Sequence, residues 1–193
     1  MTADLAKQKA IAEIIEGKVV DDSKRVEVCI KGTLLGFPAT LEAIRSGFPF
    51  GVSYFVETEP DAKSRPPADQ VFYISLVPRF ATGIVSVLSR IFLFESRGQS
   101  VGDKHFEGRY VFNHNSFEQA ERFVHYPGVK DRIEDLQKYT GFNELVVRAG
   151  YGVYLSQPKS FNQLDLDVCR EAFRLLGELG QVVFDAFSPD VRA

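Results

Sequence analysis

The stretch Arg25-Val-Glu-Val-Cys-Ile-Lys-Gly-Thr-Leu-Leu-Gly-Phe-Pro-Ala-Thr-Leu41 decides the fold class of this chain. Val26, Val28 and Ile30 alternate with Arg25, Glu27, Cys29 and Lys31, the period of two that turns one side of a strand toward a core. Leu35, Phe37, Ala39 and Leu41 continue the alternation, so a second strand is expected, joined to the first by a hairpin near Gly32. Pro38 has no N–H for a ladder, which sends that second strand to an edge or a bulge. Gly32-x-x-x-Gly36 follows a strand, but no Lys or helix start completes a phosphate loop, and it reads as turn chemistry.

Working outward, residues 1–17 carry Leu5, Ile11, Ala12, Ile14 and Ile15 at helical spacing behind a candidate N-cap, Asp4, and Gly17 stops the helix. On the other side, Val52 to Glu57 alternates as a third strand, and Thr58 to Gln70 is a long solvated loop with Pro60, Pro66 and Pro67. Val71 to Val77 is a continuous apolar run suited to a central strand covered on both faces. Four strands in succession without crossover helices predict an antiparallel meander.

The second half is read in the same way. Arg97 to Asp103 is a turn, and Phe106, Gly108, Tyr110 and Phe112 alternate as the next strand. Ser116 and Gln119 form a capping box opening one helix, Val129 to Thr140 forms another that Gly141 stops, and Ala149-Gly150 joins a tight hairpin. Ser160 and Gln163 are a second capping box, opening a closing helix over Asn162 to Phe187. The expectation is a single α+β domain over residues 1–193: an antiparallel sheet of about six or seven strands, helices on one face, and a long C-terminal helix across it.

Composition agrees with an ordinary globular chain: 193 residues, 45% hydrophobic, 25% charged, with 17 Phe and no Trp. A formal charge of −3 and a pI near 5.7 argue against a nucleic-acid-coating protein. Arg79, Arg90, Arg97, Lys104 and Arg109 make the centre locally basic, but Glu95, Asp103 and Glu107 dilute it, and no nucleic-acid partner is expected. Cys29 and Cys169 lie far apart with no metal spacing beside either, and read as free thiols of a reducing cytoplasm. Residues 1–17 lack the apolar core of a signal peptide.

Phe80 to Phe94 holds a single charge, Arg90, over fifteen residues. As a helix it spans about 22 Å, short of the roughly 30 Å of a bilayer's hydrocarbon, so no transmembrane segment is expected. Core helix, self-association face and peripheral membrane contact remain its three readings.

Gly102-Asp103-Lys104-His105-Phe106-Glu107-Gly108-Arg109-Tyr110-Val111-Phe112 resembles a family of small uncharacterised bacterial domains with a Gly-Asp-x-x-Phe-Asp segment, Glu107 standing for the usual Asp. The resemblance runs from about Val71 to Phe187. It implies an α+β domain in a bacterial cytoplasm and brings no activity or catalytic residue with it. Some members of that family hang from membrane segments, for which the matching stretch here is too short.

For chemistry, Asp103, His105, Glu107 and Arg109 alternate along the strand expected there and would share one face, where acid, base and cation could serve a hydrolase or a metal-assisted enzyme. The same alternation marks any solvent-facing strand, and Glu107 with Arg109 can be a surface ion pair. His105, His114 and His125 are the candidate metal ligands, at gaps matching no known metal motif. No nucleophile elbow, zinc-protease motif or Cys-x-x-Cys is present, and no cofactor is expected. The expected function is a non-catalytic bacterial interaction or ligand-binding module whose partner is a second copy, as a homodimer joined through apolar helix surface, or another protein.

Overall fold

A computed structural model describes residues 4–21, 26–44, 51–59, 65–79 and 98–187. The stretch 80–94 lies outside the described residues, and with it all three readings of that segment.

Among the described residues the chain forms α1 (Leu5–Ile14), β1 (Lys18–Val20), β2 (Val26–Leu34), β3 (Phe37–Ile44), β4 (Val52–Glu57) and β5 (Tyr73–Pro78). These are followed by α2 (Lys104–Arg109), β6 (Tyr110–His114), α3 (Phe117–Val124), α4 (Val129–Thr140), β7 (Glu144–Arg148), β8 (Gly152–Gln157), a 3₁₀ turn (Phe161–Gln163) and α5 (Leu166–Phe187). The fold is α+β, with eight strands in one antiparallel sheet among the described residues, slightly above the six or seven expected. None of the helices among the described residues is long and apolar enough to cross a membrane.

The sheet order is β1-β2-β3-β4-β8-β7-β5-β6, which corrects the expected meander. β5 does not pair with β4. The β7–β8 hairpin stands between them, and the long connection after Thr58 gives the chain the reach to cross the gap. Every pairing is nevertheless antiparallel.

The first hairpin turns at Leu35-Gly36, not at Gly32, with φ of 52° and 83° at the two central residues. Both values lie in the left-handed region that two-residue hairpin turns use. Gly32 has a different duty: a Cβ there would stand 2.1 Å from the Ile15 carbonyl oxygen. The chain leaving α1 crosses β2 at this point, and Thr33 N–H donates to Ile15 O over 2.6 Å. Pro38 also differs from expectation, since β3 lies between β2 and β4. It is tolerated because the β4 ladder begins only at Ala39, one residue farther from the turn.

Period-two burial gives the sheet two unlike faces. One cross-strand row runs Ile30, Leu41, Tyr54, Leu155, Leu145, Leu76 and Phe112, all 2% exposed or less. α5 packs against β2, β4 and β8 on this side, with α1 and α4 alongside it. Cys169 and Phe173 of α5 reach down to Tyr54, whose ring meets the Phe173 ring edge-on at 5.2 Å. Burial pushes the Tyr54 hydroxyl and the Cys169 thiol up from their ordinary pKa values, so both stay protonated. Leu179 and Phe187 belong to this core.

Two helix starts differ from the sequence reading. The Ser160–Gln163 capping box is present, yet it closes only the 3₁₀ turn. α5 starts at Leu166, where the Asp165 carboxylate accepts from the Asp167 amide over 2.8 Å. Lys104–Arg109 is a helix and not the first half of a strand; the Asp103 carboxylate accepts from Phe106 N–H over 2.9 Å and opens it. Phe106 then points into the core beside Tyr110 and Phe112, so the three aromatic residues meet despite the change of element.

Candidate functional site

The residues singled out for chemistry do not share a strand face. Asp103, His105, Glu107 and Arg109 are spread around the N-cap and single turn of α2, where successive residues step about 100° around the axis. The Asp103 carboxylate caps α2 and pairs with Lys130 of α4; that ammonium and the Phe106 amide bring its pKa down to about 2. Glu107 is partly shielded from water, which works against its charge, but the Ser100 hydroxyl (2.7 Å) and the Val101 amide (2.8 Å) hold its carboxyl below the usual range. Arg109 pairs with Glu134, and His105 is exposed.

The other two histidines sit on different elements. His114 ends β6 and donates from Nε2 to the Ser100 carbonyl over 2.8 Å. His125 caps α3 and donates from Nδ1 to the Glu121 carbonyl over 2.9 Å. Among the described residues no group of three or more His, Cys, Asp or Glu is placed to hold a metal.

A concave site lies elsewhere, on the sheet face away from α5. Its cavity of about 400 Å³ is lined by β4, β7 and β8 and by Arg65 of the connection after β4. Two cross-strand rows build it. Phe55, Tyr154 and Val146 stand opposite one another across β4, β8 and β7. The next row runs Glu57, Gly152, Arg148 and Tyr73. In the first row the Phe55 and Tyr154 rings pack at 4.8 Å, and Tyr154 Oη lies 3.3 Å from Ser53 Oγ.

Gly152 opens the floor of the second row. Its φ is 138°, and a Cβ there would stand 2.0 Å from the Val56 carbonyl oxygen. No side chain therefore fills the space between Glu57 and Arg148.

The cations of the site differ in their state. Arg65 pairs with Glu57, donates from Nε to the Glu59 carbonyl over 3.0 Å and lies 5.5 Å from the Tyr151 ring centre. Arg148 lies over two aromatic rings, 5.1 Å from the centre of Tyr73 and 5.5 Å from that of Tyr151. Tyr151 is itself fixed by its hydroxyl, which donates to the Pro66 carbonyl over 2.8 Å. Arg148 makes no ion pair with a described residue, and its Nε is buried without a hydrogen-bond partner. An unmet donor of this kind costs about 1–3 kcal/mol, against about 0.5–2 kcal/mol returned by each ring–cation contact.

Sequence reasoning did not find this site. Arg148 and Tyr151 were in view only as the flanks of a hairpin turn, and Arg65 as part of a solvated loop. The available signal is a basic residue ending an alternating strand four positions before a glycine that opens the next one.

Comparison with known proteins yields no match: no protein-family model, no curated protein and no solved structure is significantly similar to this chain.

Proposed function

We propose that this chain is a non-catalytic ligand-binding module of the bacterial cytoplasm that takes a small molecule in the cavity on the outer face of its sheet. The supporting observation is Arg148, a cation fixed by two aromatic rings beside an open cavity with no anion among the described residues to answer it. The cavity volume is at the small end of the range of about 300–1,000 Å³ typical of ligand sites. Among the described residues its lining holds no His, Cys, Ser, Thr or Lys, and the one carboxylate there, Glu57, is already paired, which favours binding over proton transfer or nucleophilic attack. The two cysteines are both buried and neither is in a disulfide, which fits a reducing compartment.

Self-association through apolar surface belongs to the same reading. Leu35, 63% exposed at the tip of the first hairpin, and Phe184, 46% exposed on α5, flank Phe37 on the helix side of the sheet and leave the cavity free.

The test is a screen of small anionic, neutral and cationic compounds against the isotope-labelled full chain, read by amide chemical shifts. Anions are expected to move the amides of Val146, Arg148, Gly152 and Tyr154 together. Millimolar compounds of every charge class leaving those amides unmoved would overturn the proposal.

A further inference from the structure

We infer that the ligand of this cavity is a flat aromatic monocarboxylate, its carboxylate on the Arg148 guanidinium and its ring against Phe55, Val146 and Tyr154; this rests on the cavity being a binding site. Three features of the lining lead to this ligand class.

The first is charge. Glu57 and Arg65 neutralise each other, so among the described residues Arg148 leaves the cavity with one uncompensated positive charge. A monoanion balances it. A phosphate dianion would carry a second charge toward Glu57, and the lining offers it neither a second unpaired cation nor a helix N-terminus.

The second is shape at the cation. A guanidinium presents its donors in a plane that matches both oxygens of a carboxylate. Tyr73 and Tyr151 keep that plane in place, so less motional freedom is lost when the anion arrives.

The third is what lies next to the cation. Along β7, Val146 precedes Arg148 by two residues on the same face, about 7 Å at 3.4 Å per residue. Phe55 and Tyr154 stand in the row of Val146, so the apolar wall begins where the body of a carboxylate-bearing ring falls once the ion pair has formed. The tilt of 49° between the Phe55 and Tyr154 rings offers a third ring both a face and an edge to pack on. An aliphatic acid as small as acetate would leave this wall uncovered.

Four probes separate the features: benzoate, its neutral isostere benzamide, acetate and inorganic phosphate, each titrated into the full chain with the Val146, Gly152 and Tyr154 amides as reporters. Benzoate is expected to bind at least tenfold more tightly than the other three. Arg148→Gln is expected to weaken benzoate at least tenfold and leave benzamide unchanged, with Arg148→Lys in between because it keeps the charge without the fork. A thermal melt of each variant establishes that it is folded.

Benzamide binding as well as benzoate would overturn the carboxylate assignment while leaving the cavity as a binding site. Acetate matching benzoate would overturn the ring assignment, and phosphate outcompeting benzoate would overturn the monoanion. If no probe moves those amides, the inference fails together with the reading of the cavity on which it rests.

Discussion

The two faces of the sheet are built from the same strands, residue by residue in alternation, and they are finished in opposite ways. Under α5 every side chain of the row from Ile30 to Phe112 is 2% exposed or less, and Tyr54 Oη accepts from Gln157 Nε2 and meets Cys169 Sγ, with Gln157 Oε1 the neutral atom there that finds no partner. On the other face Gly152 leaves an opening, and Arg148 stands beside it with a buried nitrogen that nothing satisfies. Where packing is complete, substitution is a matter of stability; where a gap and an unmet charge coincide, substitution should change binding and leave stability nearly untouched.

The largest effect expected from this contrast is at the core row. Leu155→Ala, at a side chain 0% exposed, should cost about 2–5 kcal/mol in urea unfolding. A loss below 1 kcal/mol would mean that the helical layer is not packed as the burial indicates.

An intermediate effect is expected where the helical layer is tied by charge. Asp103→Asn keeps a competent cap but removes the pairing with Lys130, for a loss of about 0.5–1 kcal/mol near neutral pH. The native carboxyl titrates at about 2, below the value of about 3.9 for an unfolded chain. Its contribution is therefore complete above pH 4 and lost as pH falls toward 2. Urea midpoints measured across that window should drop more steeply for the parent than for Asp103→Asn, and parallel curves would refute the pairing.

The smallest change in stability belongs to Arg148→Met. The lost ring contacts, about 0.5–2 kcal/mol each, are set against relief of the buried donor, about 1–3 kcal/mol, so the melting midpoint should move little. A destabilisation beyond 2 kcal/mol would show that Arg148 is a structural member, and the contrast between the faces would collapse.

The parts of this architecture that follow from local periodicity could be read directly. Val26 to Ile30 and Val52 to Val56 sit where alternation puts them, and the hairpin at Ala149-Gly150 is present with its turn one residue longer, taking in Tyr151. Sheet order could not be read, because whether β4 pairs with β5 or with β8 is decided by which apolar rows match across the whole sheet, and both satisfy the same alternation. Phe106, Gly108, Tyr110 and Phe112 show how a period misleads: the aromatic residues do cluster, but Asp103 caps a helical turn and the strand begins at Tyr110.

Gly32 misled for a related reason, since a glycine that lets two backbones cross and one that lets a chain reverse are identical in sequence. The cavity was hidden because it is assembled from Glu57, Arg65 and Arg148, which meet only through the β4–β8–β7 pairing. His105, Glu107 and Arg109 drew attention by their closeness in the chain, and three-dimensional convergence lay with residues roughly ninety positions apart.

The pairing of β4 with β8 joins segments roughly a hundred residues apart in the chain. At ribosomal speeds of about 5–20 residues per second, β4 leaves synthesis some 5–20 seconds before its partner exists. For that interval the β2–β3–β4 unit carries a raw edge, Val52, Tyr54 and Val56 along one side of it, of the kind that captures strands from other chains. Such distant pairing also slows the search that completes the sheet. Yield of folded protein should accordingly depend on translation rate and on chaperones that shield nascent strand edges, long before any ligand reaches the cavity that β8 closes.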